Sequence, residues 1–504
     1  MARVQPQPVA DVRPCRRAEG RPPVTRPGPD QPRVRANDWR TLAPAELGRW
    51  VPDLSVTVVV PAHDPVHLDR VLAALAAQTY PAHLLEVVVV DDGSTPPVSL
   101  PEVRPEHSRV ELLSTGWGRA AACQLGVDRS EGDVLHWLDS DVVPVRHEVE
   151  AHLRWHHLVD YAVILGRKFF AADNALDHLS PAELRRTIAD GADPVELARG
   201  EVHHHWAEDV ESETAGLAEA GARAMRMHVG MSGSVSRALY EDSAGMPVDL
   251  VLGEDIVLGY RLREAGAVFI PDPDARCLHL GESGVRRAAD DVNRYNKPFI
   301  MQKVPEFRGH RHQLGRSYEV PYLEVVLPVT GQTYESVRLV VDAFLAGAVP
   351  DLVVTLTAEW GRLTEDRRLV LSDDDLELRL VRAAYTAEPR VRMPIAPASR
   401  SEATFRITLP RVERVPVGRA LPRLLRTMEE DQFGVVEVVD DGRTVASVVR
   451  TAAEARARRT SADAATRAAA LDEVYPTLRV TAEEAGFVPP DDVPPVKQVR
   501  GLAP

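Results

Sequence analysis

Three cysteines in 504 residues, at 15, 123 and 277, are odd in number and far apart. They build no disulfide framework and suit a reducing compartment, so a cytoplasmic protein is expected. Aromatic residues make up only 5% of the chain, which leaves few platforms for stacking nucleic-acid bases. Basic residues are outnumbered, 60 against 75 acids, for a net charge of −15. A polyanionic backbone needs a basic face, so nucleic acid is excluded as the main partner. Lysine occurs only at 168, 297, 303 and 497, a codon-composition signature rather than chemistry. No apolar run approaches the roughly 20 residues of a membrane-spanning helix. The start, MARVQPQPVADVRPCRR, lacks the apolar stretch of a secretory leader.

What the chain does contain is 44% hydrophobic residues, ordinary for a folded protein with a sizeable core. Residues 1–40 are rich in Pro and Arg and are expected to be a disordered tail. A peripheral contact of this basic arm with anionic lipid is the alternative reading. Residues 41–317 alternate buried strands with amphipathic helices, the pattern of an α/β fold with a mostly parallel sheet. Strands are expected at Val56–Val60, Val87–Val90, Val110–Leu113 and Val134–Leu138, with helices at Leu68–Ala77 and Ala120–Asp128. A polar, helix-leaning insertion covers about 170–227 and includes His203-His204-His205. If helical, consecutive imidazoles lie about 100° apart and cannot share one ion.

Residues 318–460 open with the same unit again: strand Leu323–Val329, helix Tyr334–Ala346, strand Leu352–Leu356. A degenerate second lobe is expected, with Thr357-Ala358-Glu359-Trp360 opposite Asp91-Asp92-Gly93-Ser94. Further strands are expected at Thr404–Leu409, Val435–Val439 and Val445–Val449, with one helix near Thr451–Leu471. Residues 461–504 complete the chain as helix and loose tail.

Each polar cluster of the first unit falls just past a strand's C-terminal end, where open α/β sheets bind ligands. Asp139-Ser140-Asp141 puts two carboxylates at one turn, and oxygen ligands suit Mn²⁺ or Mg²⁺ bridging a diphosphate. In Asp91-Asp92-Gly93-Ser94 a carboxylate can accept from a base or ribose, while Gly93 permits close backbone approach. Glu254 and Asp255 follow Gly253 at a helix start, where acids either complement the dipole or serve as a general base. His279 ends a strand-like run and is a possible third cation ligand.

The ordered series Val58-Val59-Val60-Pro61, Asp91-Asp92-Gly93-Ser94, Trp137-Leu138-Asp139-Ser140-Asp141 and Gly253-Glu254-Asp255 resembles family 2 glycosyltransferases of the GT-A fold. The stretch from Gly230 to Gly266 is similar to the C-terminal catalytic region of galactosyltransferases and polypeptide N-acetylgalactosaminyltransferases. The resemblance spans about residues 55–282. It implies sugar transfer from a nucleotide-sugar donor to a hydroxyl acceptor, with inversion and a divalent cation. It further implies donor contacts from Pro61, Asp91, Asp92, Gly93, Arg119 and Asp139, cation ligands Asp139, Asp141 and His279, and Asp255 as base beside Glu254. The sequence departs from relatives at Pro61-Ala62-His63-Asp64 and Gly116-Trp117-Gly118-Arg119, and it lacks the Gln-x-x-Arg-Trp of processive members.

Two rival readings are open. Gly116-x-Gly118-x-x-Ala121 after a strand fits an NAD(P)-binding oxidoreductase, with Asp139 as the ribose acid. A catalytically inactive sugar-nucleotide-binding protein is the other.

Overall fold

The computed structural model describes residues 30–493 except 229, 251, 283–288, 308–310, 312–315 and 367. Cys15 and most of the expected N-terminal tail lie outside the described residues, as do residues 494–504.

The first sheet grows from a run of β-branched residues. β1 (Val56–Ala62) pairs in parallel with β2 (Leu85–Asp91) on one side. Helix α1 (Leu68–Leu75) connects them and buries Leu68, Val71, Leu72 and Leu75 on the sheet. Val56, Val58, Val59 and Val60 are wholly buried, as a continuous apolar run predicts for a central strand covered on both faces. β3 (Ser108–Leu112) is the half-exposed edge, followed by α2 (Arg119–Asp128) and then β4 (Val134–Leu138), which lies parallel to β1 on its other side. The chain continues through β5 (Val142–Pro144), α3 (Glu148–His156) and β6 (Ala162–Ala171). It then runs through α4 (Pro181–Ala189), α5 (Pro194–Leu197), β7 (His203–His204) and α6 (Ala207–Glu213). β8 (Ser232–Ser236), α7 (Arg237–Asp242), α8 (Glu254–Glu264) and β9 (Val268–Leu280) close the unit. The strand order is β3-β2-β1-β4-β8-β6-β9-β5, with β7 beside β6.

A second sheet contains β10 (Leu323–Pro328), β11 (Leu352–Thr357), β12 (Val391–Arg392) and β13 (Phe405–Thr408). Beyond the short β14 (Val415–Pro416) come β15 (Val435–Asp440), β16 (Arg443–Arg450) and β17 (Thr477–Thr481). Its order, β12-β11-β10-β13-β16-β15-β17, reproduces the path β3-β2-β1-β4-β8-β6-β9 strand for strand. Directions agree too: three parallel pairings, two antiparallel, one parallel.

Strand register fixes the correspondence. Pro61 is level with Val90, and Pro328 with Thr357. The positions of Asp91 and Asp92 are therefore taken by Ala358 and Glu359, one residue along from the alignment the sequence suggests. Val59 faces Trp137 and Val326 faces Thr408, so Pro410, Arg411 and Val412 stand where Asp139, Ser140 and Asp141 do.

Several expectations need correction. The last part of the supposed N-terminal tail is ordered. Val34 is buried, and Asn37 Nδ2 donates to Leu217 O and Phe269 O at 2.9 Å each. Beyond residue 460 a strand joins the expected helix, since β17 pairs in parallel with β15, and most of the tail expected from Pro489 lies outside the described residues. The long C-terminal helix is two, Thr451–Arg459 and Ala464–Val474, because Asp463 caps the second and accepts from Thr466 N at 2.9 Å. His203 and His204 are in strand β7 against Phe170 and Phe169 of β6, not in a helix. Among the described residues no helix is long and apolar enough to cross a membrane.

The two units meet through the helix Thr451–Arg459. Arg456, 1% exposed, donates Nε to Gly266 O at 2.9 Å, Nη2 to Ala267 O at 2.7 Å, and Nη1 to Val34 O at 2.9 Å and to Ala36 O. Gly266 sits at φ +98° with its missing Cβ 2.7 Å from Arg456 N, so only glycine lets this helix approach.

Candidate functional site

Parallel pairing of β2, β1 and β4 brings their C-terminal ends to one edge, with Ala62 level with Asp91. Asp91 is buried under the loop it begins. Its Oδ1 accepts from Ser94 N at 2.8 Å and Oδ2 from Val98 N at 2.9 Å. Burial raises its pKa, but the two backbone N–H groups outweigh that and hold the carboxyl below its ordinary range. Asp91 thus braces the loop, and Asp92 is the acid turned toward the neighbouring turn. Asp92 Oδ2 accepts from Gly118 N at 2.8 Å, and its carbonyl accepts from His63 Nδ1 at 2.7 Å. Gly93 lies at φ +79° with open space where a Cβ would point. Pro61, at the end of β1, is half-buried beside this loop.

Gly116 and Gly118 adopt φ +90° and +86°, the turn that lets α2 begin at Arg119. The free N–H of such a turn would receive a pyrophosphate in a dinucleotide site. Here a carboxylate, Asp92, takes the Gly118 N–H.

Arg119 links three parts of the chain. Nε donates to Asp139 Oδ1 at 2.9 Å, and Nη1 to Glu254 Oε1 at 3.2 Å and Asp255 Oδ1 at 3.1 Å. Nη2 donates to Gly230 O at 2.6 Å. A planar guanidinium can meet four acceptors at once in a way an ammonium cannot. Burial would lower its pKa, yet Asp139, Asp255 and Glu254 hold it well above its ordinary value. A Cβ on Gly230 would lie 2.4 Å from Arg119 Nη2 and 2.5 Å from Asp255 Oδ1. Sequence reasoning placed Arg119 near the donor but missed this junction. The only hints were an Arg opening a helix and a Gly within GMSGS.

Glu254 and Asp255 open α8 behind Gly253, which is left-handed at φ +83° and offers no side-chain cap. Only 6% of the Glu254 side chain is exposed, against 25% of Asp255. Burial, then the neighbouring Asp255, push the Glu254 carboxyl up to about 7, with Arg119 opposing.

Asp141 and His279 meet across β5 and β9, where Val142 is paired with His279. His279 Nε2 lies 3.5 Å from Asp141 Oδ2, and His279 Nδ1 is 3.1 Å from Gly281 O. A carbonyl only accepts, so Nδ1 carries the hydrogen and Nε2 is the ring atom that meets the carboxylate. Asp141 Oδ1 is buried without a hydrogen-bond partner. Burial raises the Asp141 pKa, His279 lowers it, and Asp139 raises it. A carboxylate and an imidazole nitrogen meeting beside an orphaned oxygen are donors that fit a cation. Phe170 stacks on His279 with ring centroids at 4.8 Å, and on His203 and His205 at 5.5 and 5.8 Å. Phe170 thus has His279 and two of the three adjacent histidines, His203 and His205, as ring neighbours.

Residues 57–195 match the family model described as Glycosyl transferase family 2. The chain is 30% identical over 228 residues to the pre-mycofactocin glycosyltransferase of Mycobacterium tuberculosis (strain ATCC 25618 / H37Rv). That match covers 44% of this chain and 42% of the relative, so less than half of each protein is compared. It is 32% identical over 95 residues to the glycosyltransferase AglE of Haloferax volcanii, covering 18% of this chain and 31% of that one. A mannosyltransferase from Pyrobaculum calidifontis, solved with GDP-Man and Mn²⁺, aligns with TM-score 0.34 and 18% identity over 54% of this chain and 67% of its own. The matched residues 57–195 contain β1, β2, the Gly116–Gly118 turn and Asp139-Ser140-Asp141, and the α/β sheet they build is the one the resemblance implies. The likeness to the Glycosyl transferase family 2 model belongs to residues 57–195, the stretch that builds β1 to α4.

Proposed function

We propose that the protein transfers a sugar from a nucleotide-sugar donor to a hydroxyl acceptor, with a divalent cation and with inversion. The observation that carries this reading is the convergence of Asp92, Asp139, Asp141, Glu254 and Asp255 from two strand ends and a helix start onto one edge of the sheet.

Asp139, Asp141 and His279 would hold Mn²⁺ or Mg²⁺, which supplies charge neutralisation for the departing diphosphate. Asp92 and the loop at Pro61 and Gly93 bound the nucleoside side. Arg119 keeps Asp139 and Asp255 in fixed relation across the cleft. Asp255 takes the proton of the acceptor hydroxyl as that oxygen attacks the anomeric carbon from the face opposite the leaving group. Its greater exposure favours it over Glu254 for that contact. Glu254, buried and raised, positions Arg119 instead. The same reading assigns no nucleotide to the second lobe, where Pro410 and Val412 replace the two acids.

Asp255→Asn is expected to lose turnover by about 10² to 10⁴ while keeping donor affinity and melting temperature. A purely structural role, as partner of Arg119 in the first turn of α8, would instead lower the melting temperature and spare activity. Sugar transfer measured on a stable mutant separates the two. Full turnover would place the base elsewhere.

A further inference from the structure

Beneath the Asp139–Asp141 turn, within the core, lies a polar cluster that the transfer reaction does not use. His136 sits on β4, three residues before Asp139, and Glu148 and His152 are one turn apart on α3. All three are 0% exposed. Glu148 Oε1 lies 3.2 Å from His136 Nε2 and 3.2 Å from His152 Nε2, and the three ligand atoms fall within 4.8 Å of one another.

Hydrogen bonds satisfy only part of this arrangement: Glu148 Oε1 accepts from Ser232 Oγ at 2.9 Å. His136 Nε2 and Nδ1 and Glu148 Oε2 are buried with no hydrogen-bond partner. The 3.2 Å spacing matches the edge of a tetrahedron of ligands about Zn²⁺, about 3.3 Å for metal–ligand bonds near 2.0 Å. A fourth ligand atom is in place: Ser232 Oγ is 2.9 Å from Glu148 Oε1 and 3.4 Å from His152 Nε2. Gly166 makes room for it, since a Cβ there would lie 2.1 Å from Ser232 Oγ.

The outer contacts are compatible with the tautomer a ligand needs. His152 Nδ1 is 2.9 Å from Ser234 Oγ, and Ser234 Oγ is 2.8 Å from His156 Nε2. A hydrogen on Nδ1 shared with Ser234 leaves His152 Nε2 free to ligate. A cation placed among these atoms would satisfy the buried Glu148 Oε2 and His136 nitrogens that lack hydrogen-bond partners.

We propose that His136, Glu148 and His152, with Ser232 as fourth neighbour, hold a structural Zn²⁺ that ties β4, α3 and β8 together under the active-site turn. This site is separate from Asp139, Asp141 and His279 and stands whether or not the transfer reading does.

The test is elemental analysis of the full chain, purified without a metal-affinity step and dialysed against EDTA to strip exchangeable cations. About one zinc per chain is expected to remain in the wild type and in the Asp139→Asn/Asp141→Asn double variant, and to be lost in Glu148→Gln and His152→Asn. Should the core variants fail to fold, wild-type protein from cobalt-supplemented cells supplies the second readout: the intense visible absorption of four-coordinate Co²⁺. Folded, dialysed wild type holding no zinc would overturn the proposal. So would zinc that survives Glu148→Gln but disappears from the double aspartate variant.

Discussion

Arg119→Ala is expected to reduce turnover by at least about 10², comparable to losing a positioned catalytic group. Its guanidinium contacts three carboxylates from two ends of the cleft and one backbone carbonyl. Removing it leaves Asp139, Glu254 and Asp255 facing one another without their cation, and the distance between cation site and base is no longer fixed. Arg119→Lys should fail as well, because one ammonium cannot span the four acceptors. The defect should also depend on pH. Glu254 already titrates at about 7 in the folded wild type, above its ordinary 4.5. A carboxyl raised on folding contributes stability that is fully present below its unfolded value and is lost as pH rises through the folded one. Loss of Arg119 removes the group that opposes this rise. The melting-temperature deficit of the mutant should therefore be larger at pH 8 than at pH 5. A deficit that shrinks as pH rises, or turnover near wild type, would contradict this role.

Arg456→Ala is expected to cost on the order of 3–5 kcal/mol, because several charge-assisted hydrogen bonds to buried carbonyls are lost together. Four carbonyls from Val34, Ala36, Gly266 and Ala267 lose one charged donor, and water does not replace it at a position 1% exposed. Tyr161 and Tyr475 also lose the guanidinium that lies 5.6 and 5.3 Å from their ring centroids. The melting temperature should fall by on the order of 10 °C, and Arg456→Lys should recover little of it. A shift of only a degree or two would mean that the junction between the lobes rests on other contacts, such as Arg459 with Asp160 at 3.3 Å.

The strand–helix rhythm was legible because its strands are buried on both faces, and continuous β-branched runs such as VTVVV have few other uses. The repeat at Leu323–Val329 was legible for the same reason. Its full extent was not: the later strands of the two lobes share topology but no residue pattern. The acids of the site were visible one by one as strand-end clusters. Their junction was not, since Arg119, Gly230 and Glu254 are brought together only by tertiary structure. Asp91 and Asp92 look alike in sequence, and only the loop geometry separates the brace from the acid facing the turn. The ordered segment at 30–40 escaped because its anchors are side chains such as Asn37 and Trp39 meeting distant backbone, which no local period reports.

Cation-dependent donor binding at Asp139 and Asp141 is the central claim, and calorimetry of nucleoside diphosphates with and without Mn²⁺ tests it on wild type and Asp141→Asn. Asp141 Oδ1 is the orphaned buried oxygen beside His279, so the amide should remove a cation ligand at little cost to the fold. The account predicts that one nucleoside diphosphate binds the wild type only with Mn²⁺, that its sugar conjugate is slowly hydrolysed, and that Asp141→Asn, with unchanged melting temperature, loses both. Equal diphosphate affinity in the two proteins, or binding indifferent to Mn²⁺, would contradict it.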